Sequence, residues 1–397
     1  MTDPVEDLPG TKAIHGDKAS RAGAIVPPIF QATTFGTESK EEFLDVATRN
    51  FTDEFYIRYG TPNHTQVAEL VADLEGAQRG IVTASGMGAL STLVLSLVSQ
   101  GDHVAIQGST YPGATNLVTN LMARFGVSST LIEQADPASL EAAMRPETRL
   151  VLLESPSNPL MGLTDLRAFS DIAHRGHALA VVDNTVATPI NQRPIEFGAD
   201  LVWHSATKSL GGHSDVSAGV IVGPDDILEE IWRTHLAIGS VLGPIDAWLL
   251  LRGMRTLDVR MQRHNENAMA LATMLASHDE IAEVNYPGLS GHPQHQLAKE
   301  QMDGFGGLLS FTPRGGAERS DKLLDKLRLT TRAASLGSVH SIATRPAAMW
   351  SDQRQYQSQV ENGVDAGLIR LSVGIEASAD LLKDFDQALQ ATASTRD

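Results

Sequence analysis

Residues 178–184, ALAVVDN, contain no polar side chain until the run ends on Asp183 and Asn184. An apolar run without alternation fits a strand covered on both faces, the position of a central strand in a parallel sheet. Such a strand needs buried neighbours and helices on both sides, which restricts the chain to α/β architectures. Leu201–Trp203 and Leu150–Glu154 are similar runs, and from Thr65 to about Gly253 helical and strand-like patterns alternate as in a doubly wound sheet. In open sheets of this kind ligands sit beyond the C-terminal ends of the strands. The polar residues that follow each run are therefore the candidates for chemistry.

The richest of these is 201–219, LVWHSATKSLGGHSDVSAG. Its apolar start is followed by Ser205, Thr207, a single lysine, Lys208, and the pair Gly211-Gly212. Hydroxyls and glycines let a loop approach an anion, and the lysine presents one amine. Burial disfavours an ammonium, so a lysine in such a pocket loses its proton below its usual ~10.4. The neutral amine can then attack an aldehyde. Asp183 would stand at the end of a neighbouring strand. A carboxylate for a pyridine nitrogen, an amine for an aldehyde and donors for a phosphate are the parts of a pyridoxal 5'-phosphate site.

Composition narrows the partners. The formal charge of −17 argues against nucleic acid, which needs a basic face. The chain has no cysteine, so disulfides and thiolate metal sites are excluded, and a cytoplasmic location is expected. The start, MTDPVEDLPG, lacks the basic and apolar regions of a signal peptide. The longest apolar stretch, Ala89–Val98, is far short of the ~20 residues of a membrane span. His292 and His295 are separated by a proline-containing spacer without an evident third ligand, so no metal is expected. His213 reads as a loop histidine held by backbone rather than as a base.

Other segments admit two readings. Tyr56 and Arg58, at i and i+2 of an extended segment, point the same way. That pair suits a phosphate, or it is a surface arginine stacked on a ring. Gly86-Met87-Gly88 opens a helix whose free amides would bind phosphate, although glycines there are often structural. Tyr111, after the strand His103–Gln107, could stack on a planar ligand or cap the core. Arg370 lies among apolar neighbours in LIRLSV and needs an anionic partner, either an internal carboxylate or a ligand.

The motifs VVDNT at 182–186, ESPSNP at 154–159 and HSATKSLGGHSDVSAG at 204–219 resemble those of the Cys/Met-metabolism PLP-dependent family, with similarity from PPIFQATTF at 27–35 to RLSVGIE at 370–376. That family includes cystathionine γ-synthases, cystathionine γ- and β-lyases, methionine γ-lyase and O-acylhomoserine sulfhydrylases. The resemblance implies a fold-type I α/β enzyme. Its expected parts are an N-terminal arm over 1–60 contacting a neighbouring subunit, a PLP-binding domain over 61–253 with a large, mostly parallel sheet, and a smaller C-terminal α/β domain over 254–397. It also implies a homotetramer, a dimer of dimers with shared active sites, in which Tyr56 and Arg58 reach the neighbour's cofactor phosphate.

Within the subunit it assigns Ser85, Gly86, Met87, Ser205 and Thr207 to the phosphate, Asp183 to the pyridine nitrogen and Lys208 to the aldehyde. Tyr111 stacks on the ring and assists Lys208 in proton transfer. Asn158 meets the phenolic oxygen and the substrate, while Arg370 and Ser335 hold the substrate carboxylate. The expected reaction is γ-elimination or γ-replacement on a γ-substituted L-amino acid, begun by removal of the α-proton. β-Elimination, as in cystathionine β-lyases, aminotransfer, and a catalytically silent binding protein on the same fold are the alternatives. Ala334 stands where many γ-synthases and γ-lyases have glutamate, Gly113 where methionine γ-lyases have a reactive cysteine, and Trp350 lies in a segment that departs from the family pattern. These three positions leave open an unusual γ-substituted substrate of specialised metabolism.

Overall fold

The computed structural model describes residues 7–16, 24–349 and 363–393. Trp350 lies outside them. Seven strands form the larger sheet: β1 (Arg79–Thr83), β2 (His103–Gln107), β3 (Ser128–Ile132), β4 (Thr148–Glu154), β5 (Leu179–Asp183), β6 (Leu201–His204) and β7 (Gly219–Gly223). Their order is β1-β7-β6-β5-β4-β2-β3. β6, β5, β4, β2 and β3 run parallel, and β7 is antiparallel to both of its neighbours. The sheet is thus mixed, with one reversed strand that the apolar run GVIVG does not reveal.

The absence of alternation in these strands has a direct cause. Val151, Leu153, Ala180 and Val182 join one core, whereas Leu150, Leu152 and Val181 join another on the opposite face. Helices cover both. The helix Gly86–Leu97 contributes Ala89, Leu90, Leu93 and Val94 to the second core. The helix Pro62–Glu75 contributes Val67, Leu70, Val71 and Leu74 to the first, and ends at Gly76, whose φ of +74° suits the left-handed cap.

A smaller sheet follows, built from β8 (Ile281–Asn285), β9 (Leu308–Pro313), β10 (Thr331–Arg332), β11 (Ile342–Thr344) and β12 (Ile369–Ser372) in the order β10-β11-β12-β9-β8. Its core includes Leu309, Phe311, Ile369, Leu371 and Phe385. The 20-residue helix Leu257–Ala276 connects the two sheets. Its Arg260 donates to Ser209 O and Gly253 O at 2.7 and 2.8 Å. One and two turns on, His264 Nδ1 bonds Val373 O and Asn267 Nδ2 bonds Gly374 O, at 2.7 and 3.0 Å. One helix face thereby grips both the Lys208 loop and the end of the Arg370 strand.

The N-terminal segment is more structured than its weak periodicity suggests. It contains the helices Pro9–His15 and Lys40–Thr48, and it is tied to the rest of the chain by Arg255 Nη1 to Ala13 O, 3.1 Å, and Trp248 Nε1 to Pro27 O, 2.9 Å. Among the described residues no helix is long and apolar enough to cross a membrane.

Candidate active site

The candidate residues gather at the C-terminal ends of β4, β5 and β6. In register, Glu154 of β4 stands opposite Asp183 of β5, so both carboxyls project from the face covered by the Gly86–Leu97 helix. Asp183 is 7% exposed, accepts Thr185 N at Oδ1 at 2.9 Å, and forms no salt bridge among the described residues. Burial raises its pKa above the usual aspartate value; the Thr185 hydrogen bonds and the nearby His204 oppose that rise. His204 itself bonds Glu75 Oε1 at 2.7 Å, both side chains being buried.

The turn after β6 delivers Lys208. Its Nζ donates to Ser335 Oγ at 2.7 Å. Arg370 Nη2 donates to the carbonyl of the same serine at 2.7 Å, and Nη1 reaches Asn158 Oδ1 at 3.4 Å. Ser335 therefore joins the lysine to the arginine, and it does so at a φ of +83°, strained for a residue with a Cβ. Burial, then the charge of Arg370, lower the Lys208 pKa from its usual value. Arg370 is itself pushed down to about 10 by burial. It has no carboxylate partner among the described residues, and its Nε is buried without an acceptor. The internal ion pair that would make it structural is not formed there.

The phosphate candidates lie beside this network. Ser85 Oγ caps its helix by accepting Gly88 N at 3.0 Å, and the Gly86 and Met87 amides, in the first turn, have no intrahelical acceptor. The backbone of Gly86 abuts Ser205: an added Cβ would lie 2.6 Å from the Ser205 Cβ. The Thr207 hydroxyl is already used, donating to Ala218 O at 3.2 Å and accepting Ala218 N at 3.0 Å. Tyr111, 47% exposed, leans over Gly113 and near Met87; a Cβ at position 113 would overlap its ring.

Tyr56 and Arg58 are not brought to this cluster. Arg58 donates to Leu236 O at 3.1 Å and lies over the rings of Tyr56 and Tyr59 at 5.7 and 5.8 Å, and neither residue bonds the Lys208 network. His213 Nδ1 bonds Gly211 O at 2.9 Å, as a backbone-held loop histidine does. His295 Nδ1 bonds Pro287 O at 2.8 Å. Ala334 is exposed beside Ser335.

Glu154 is the residue that the linear pattern passes over. It is buried, and its carboxyl accepts Tyr111 N at 2.7 Å and Asn158 N at 3.1 Å. Burial, then the charge of Asp183, push its pKa well above the glutamate range. A carboxylate closing an apolar run was the available signal, the same one that marks Asp183.

A family model described as Cys/Met metabolism PLP-dependent enzyme matches residues 10–390. The chain belongs to this family. Among its relatives, an L-methionine gamma-lyase of Pseudomonas putida is 40% identical over 392 residues, covering 97% of this chain and 98% of that protein. A cystathionine gamma-lyase of Bacillus subtilis is 40% identical over 383 residues, covering 96% and 98%. The solved cystathionine gamma synthase of Xanthomonas oryzae pv. oryzae superposes with a TM-score of 0.92 at 36% identity, covering 98% of this chain and 99% of that one.

The residues present fit the family's cofactor. Asp183 is a buried carboxyl with no cation bonded to it among the described residues, Lys208 an amine held below its usual pKa, and the Gly86–Leu97 helix start a set of amides open to an anion. This member of the family is a PLP-dependent enzyme of the trans-sulfuration type.

Proposed function

We propose that the enzyme performs γ-elimination or γ-replacement on γ-substituted L-amino acids of the cystathionine, methionine and O-acylhomoserine class. The observation that carries this reading is the chain Lys208–Ser335–Arg370, in which an amine of lowered pKa and a guanidinium without a carboxylate among the described residues share one serine. An amino acid is the complement of that pair: its carboxylate meets Arg370 while its α-carbon lies within reach of Lys208. The named activities of the relatives support γ-chemistry.

When bound, pyridoxal 5'-phosphate supplies an electron sink for charge developing at the substrate α-carbon. Asp183, the buried carboxyl at the end of β5, would face the ring nitrogen. Ser85, Gly86, Met87, Ser205 and Thr207 would hold the phosphate. Asn158 orients both the ring oxygen and the substrate, and Ser335 lends Arg370 a second contact to the carboxylate. Lys208, as the neutral amine, accepts the α-proton. With Tyr111 it then passes a proton to the departing γ-substituent.

Arg58, bonded to Leu236 O, and Tyr56 beneath it would serve the phosphate of a neighbouring subunit. Exposed Ile25, Val26 and Ile29 on the same arm support a subunit contact. The assembly proposed is a homotetramer, a dimer of dimers, in the cytoplasm. Its parts are an arm over 1–60, a cofactor domain over 61–253 ending with the helix Pro244–Met254, and a C-terminal domain over 254–397.

The test is release of 2-oxo acids by the PLP-loaded enzyme from L-cystathionine, L-methionine, homoserine esters and a vinylic γ-halo amino acid, each with and without cysteine. 2-Oxobutyrate supports γ-chemistry, and its replacement by a thioether product when cysteine is added to the esters identifies a synthase. Pyruvate from cystathionine would mean β-elimination and overturn the γ-assignment.

A further inference from the structure

Glu154 takes no part in the steps above, yet it touches two of the turns that make the site. Its Oε2 accepts Tyr111 N at 2.7 Å and its Oε1 accepts Asn158 N at 3.1 Å. The carboxyl thus bonds two turns that are 43 and 4 residues away in sequence. The Tyr111 turn carries the exposed ring over Gly113 and Met87. The Asn158 turn carries the amide that Arg370 reaches.

Glu154 is itself fixed at its backbone. Its N–H donates to Gln107 Oε1 at 2.6 Å, and its carbonyl accepts Gln134 Nε2 at 3.1 Å and Thr164 Oγ1 at 3.3 Å. Gln107 and Thr164 are buried and bonded to each other at 2.5 Å. A carboxyl placed at the end of a central strand, rigid at its base and accepting one N–H on each oxygen, is a spacer of fixed length. Burying a carboxyl beside a second one, Asp183, costs stability. A residue used only for packing would not need a carboxyl there.

We infer that Glu154 is a positioning residue, which sets the separation between the Tyr111 turn and the Asn158 turn and through them the alignment of the ring-stacking wall with the Arg370 anchor. The length of the side chain and both of its acceptors are required. Glutamine keeps the length but offers one acceptor, and its NH2 group faces the second backbone N–H. Aspartate keeps the carboxyl and both acceptors but falls one methylene short of spanning both turns. The inference concerns the reaction proposed above, so its test includes measurements that need no substrate.

The experiment compares Glu154→Gln and Glu154→Asp with the unaltered holoenzyme. Both variants should bind pyridoxal 5'-phosphate but show a reduced visible circular-dichroism band, which reports how the ring is held by its surroundings. Both should lose kcat by on the order of 10²-fold, the cost of an ångström-scale misplacement, with a much smaller change in KM. Loss in Glu154→Gln with full function in Glu154→Asp would show that a carboxyl of any length suffices, and would overturn the positioning role. Unchanged circular dichroism in both would overturn it as well.

Should the variants fail to fold, hydrogen exchange at single-residue resolution in the unaltered protein decides. The Tyr111 and Asn158 amides sit in turns, and they should exchange as slowly as the amides of β4 if Glu154 holds them. Exchange at the rate of open loops refutes the inference. A silent substrate panel combined with slow exchange and altered dichroism would reject the proposed reaction and leave the role of Glu154 standing.

Discussion

Replacing Arg370 by methionine removes the guanidinium while filling much of its volume with an apolar chain. Arg370 is 8% exposed and, among the described residues, donates only to Ser335 O and Asn158 Oδ1, both uncharged acceptors. If its purpose is a substrate carboxylate, the variant forfeits two charge-assisted hydrogen bonds of roughly 1.5–3 kcal/mol each. Their sum, roughly 3–6 kcal/mol, corresponds to a fall in kcat/KM of about 10²–10⁴-fold, at about 1.4 kcal/mol per tenfold. Stability should move far less, because the two lost bonds are offset by removal of a buried cation that has no counter-ion among the described residues. The assay is initial-rate kinetics across the substrate panel, with cofactor affinity measured in parallel by visible absorbance. A fall in kcat/KM of less than about tenfold would refute the reasoning, since a single charged bond is worth more than that. Loss of the cofactor in step with activity would also refute it, by making Arg370 a structural part of the ring site.

The same network carries a pH signature. The folded chain disfavours the Lys208 ammonium, so between its lowered pKa and the ~10.4 of the unfolded chain the unfolded state binds more protons. The cofactor-free protein should therefore gain stability as pH rises through that window, and Arg370→Met should shrink the gain; a pH series of melting midpoints measures both. Lys208→Ala should abolish turnover together with the visible band of the bound cofactor, and turnover at the normal rate would overturn the whole assignment. Gly113→Ala should displace the Tyr111 ring, because an added Cβ overlaps it, while changing stability by less than about 1 kcal/mol, as the ring is half exposed and free to rotate. Activity equal to the parent enzyme's would show that the position of the ring is immaterial. Among the described residues Arg260 serves four acceptors where Arg370 serves two, so Arg260→Met takes the donor from Thr256 Oγ1 and strands the carbonyls of Ser209, Leu210 and Gly253 in the interior, and should destabilise by on the order of 3 kcal/mol. A melting midpoint unchanged from the parent protein would contradict that.

Much of the fold and the site was legible in the chain itself, for local reasons. The runs ending at Glu154, Asp183 and Trp203 lack alternation because successive side chains enter cores on opposite faces of one sheet, and that doubly buried state is written directly in composition. Lys208, Asp183 and Asn158 each sit just past such a run, so strand ends could be read as site positions. The reversed strand β7 could not be read that way, because GVIVG has the same composition whichever direction it runs. The helical content of the N-terminal segment was masked for a similar reason: Pro9–His15 is too short to show a period.

What only the tertiary structure decided are the distances that run between elements. Arg370 among apolar neighbours is compatible with an internal ion pair or with a ligand; among the described residues the folded chain puts Ser335 O and Asn158 Oδ1 beside it rather than a carboxylate, which favours the ligand. Tyr56 and Arg58 form a phosphate pair by spacing alone, and only the folded arm shows that Arg58 turns to Leu236 O and lies over the Tyr56 ring instead of joining the Lys208 network of its own chain. Glu154 is the clearest case. In sequence it is the last residue of a strand, and its partners Tyr111 and Asn158 become neighbours only when β2 and β4 pair in register. A residue's type and the burial of its segment are fixed by local pattern, whereas a hydrogen bond between two turns depends on strand order and register, which no stretch of the chain encodes by itself.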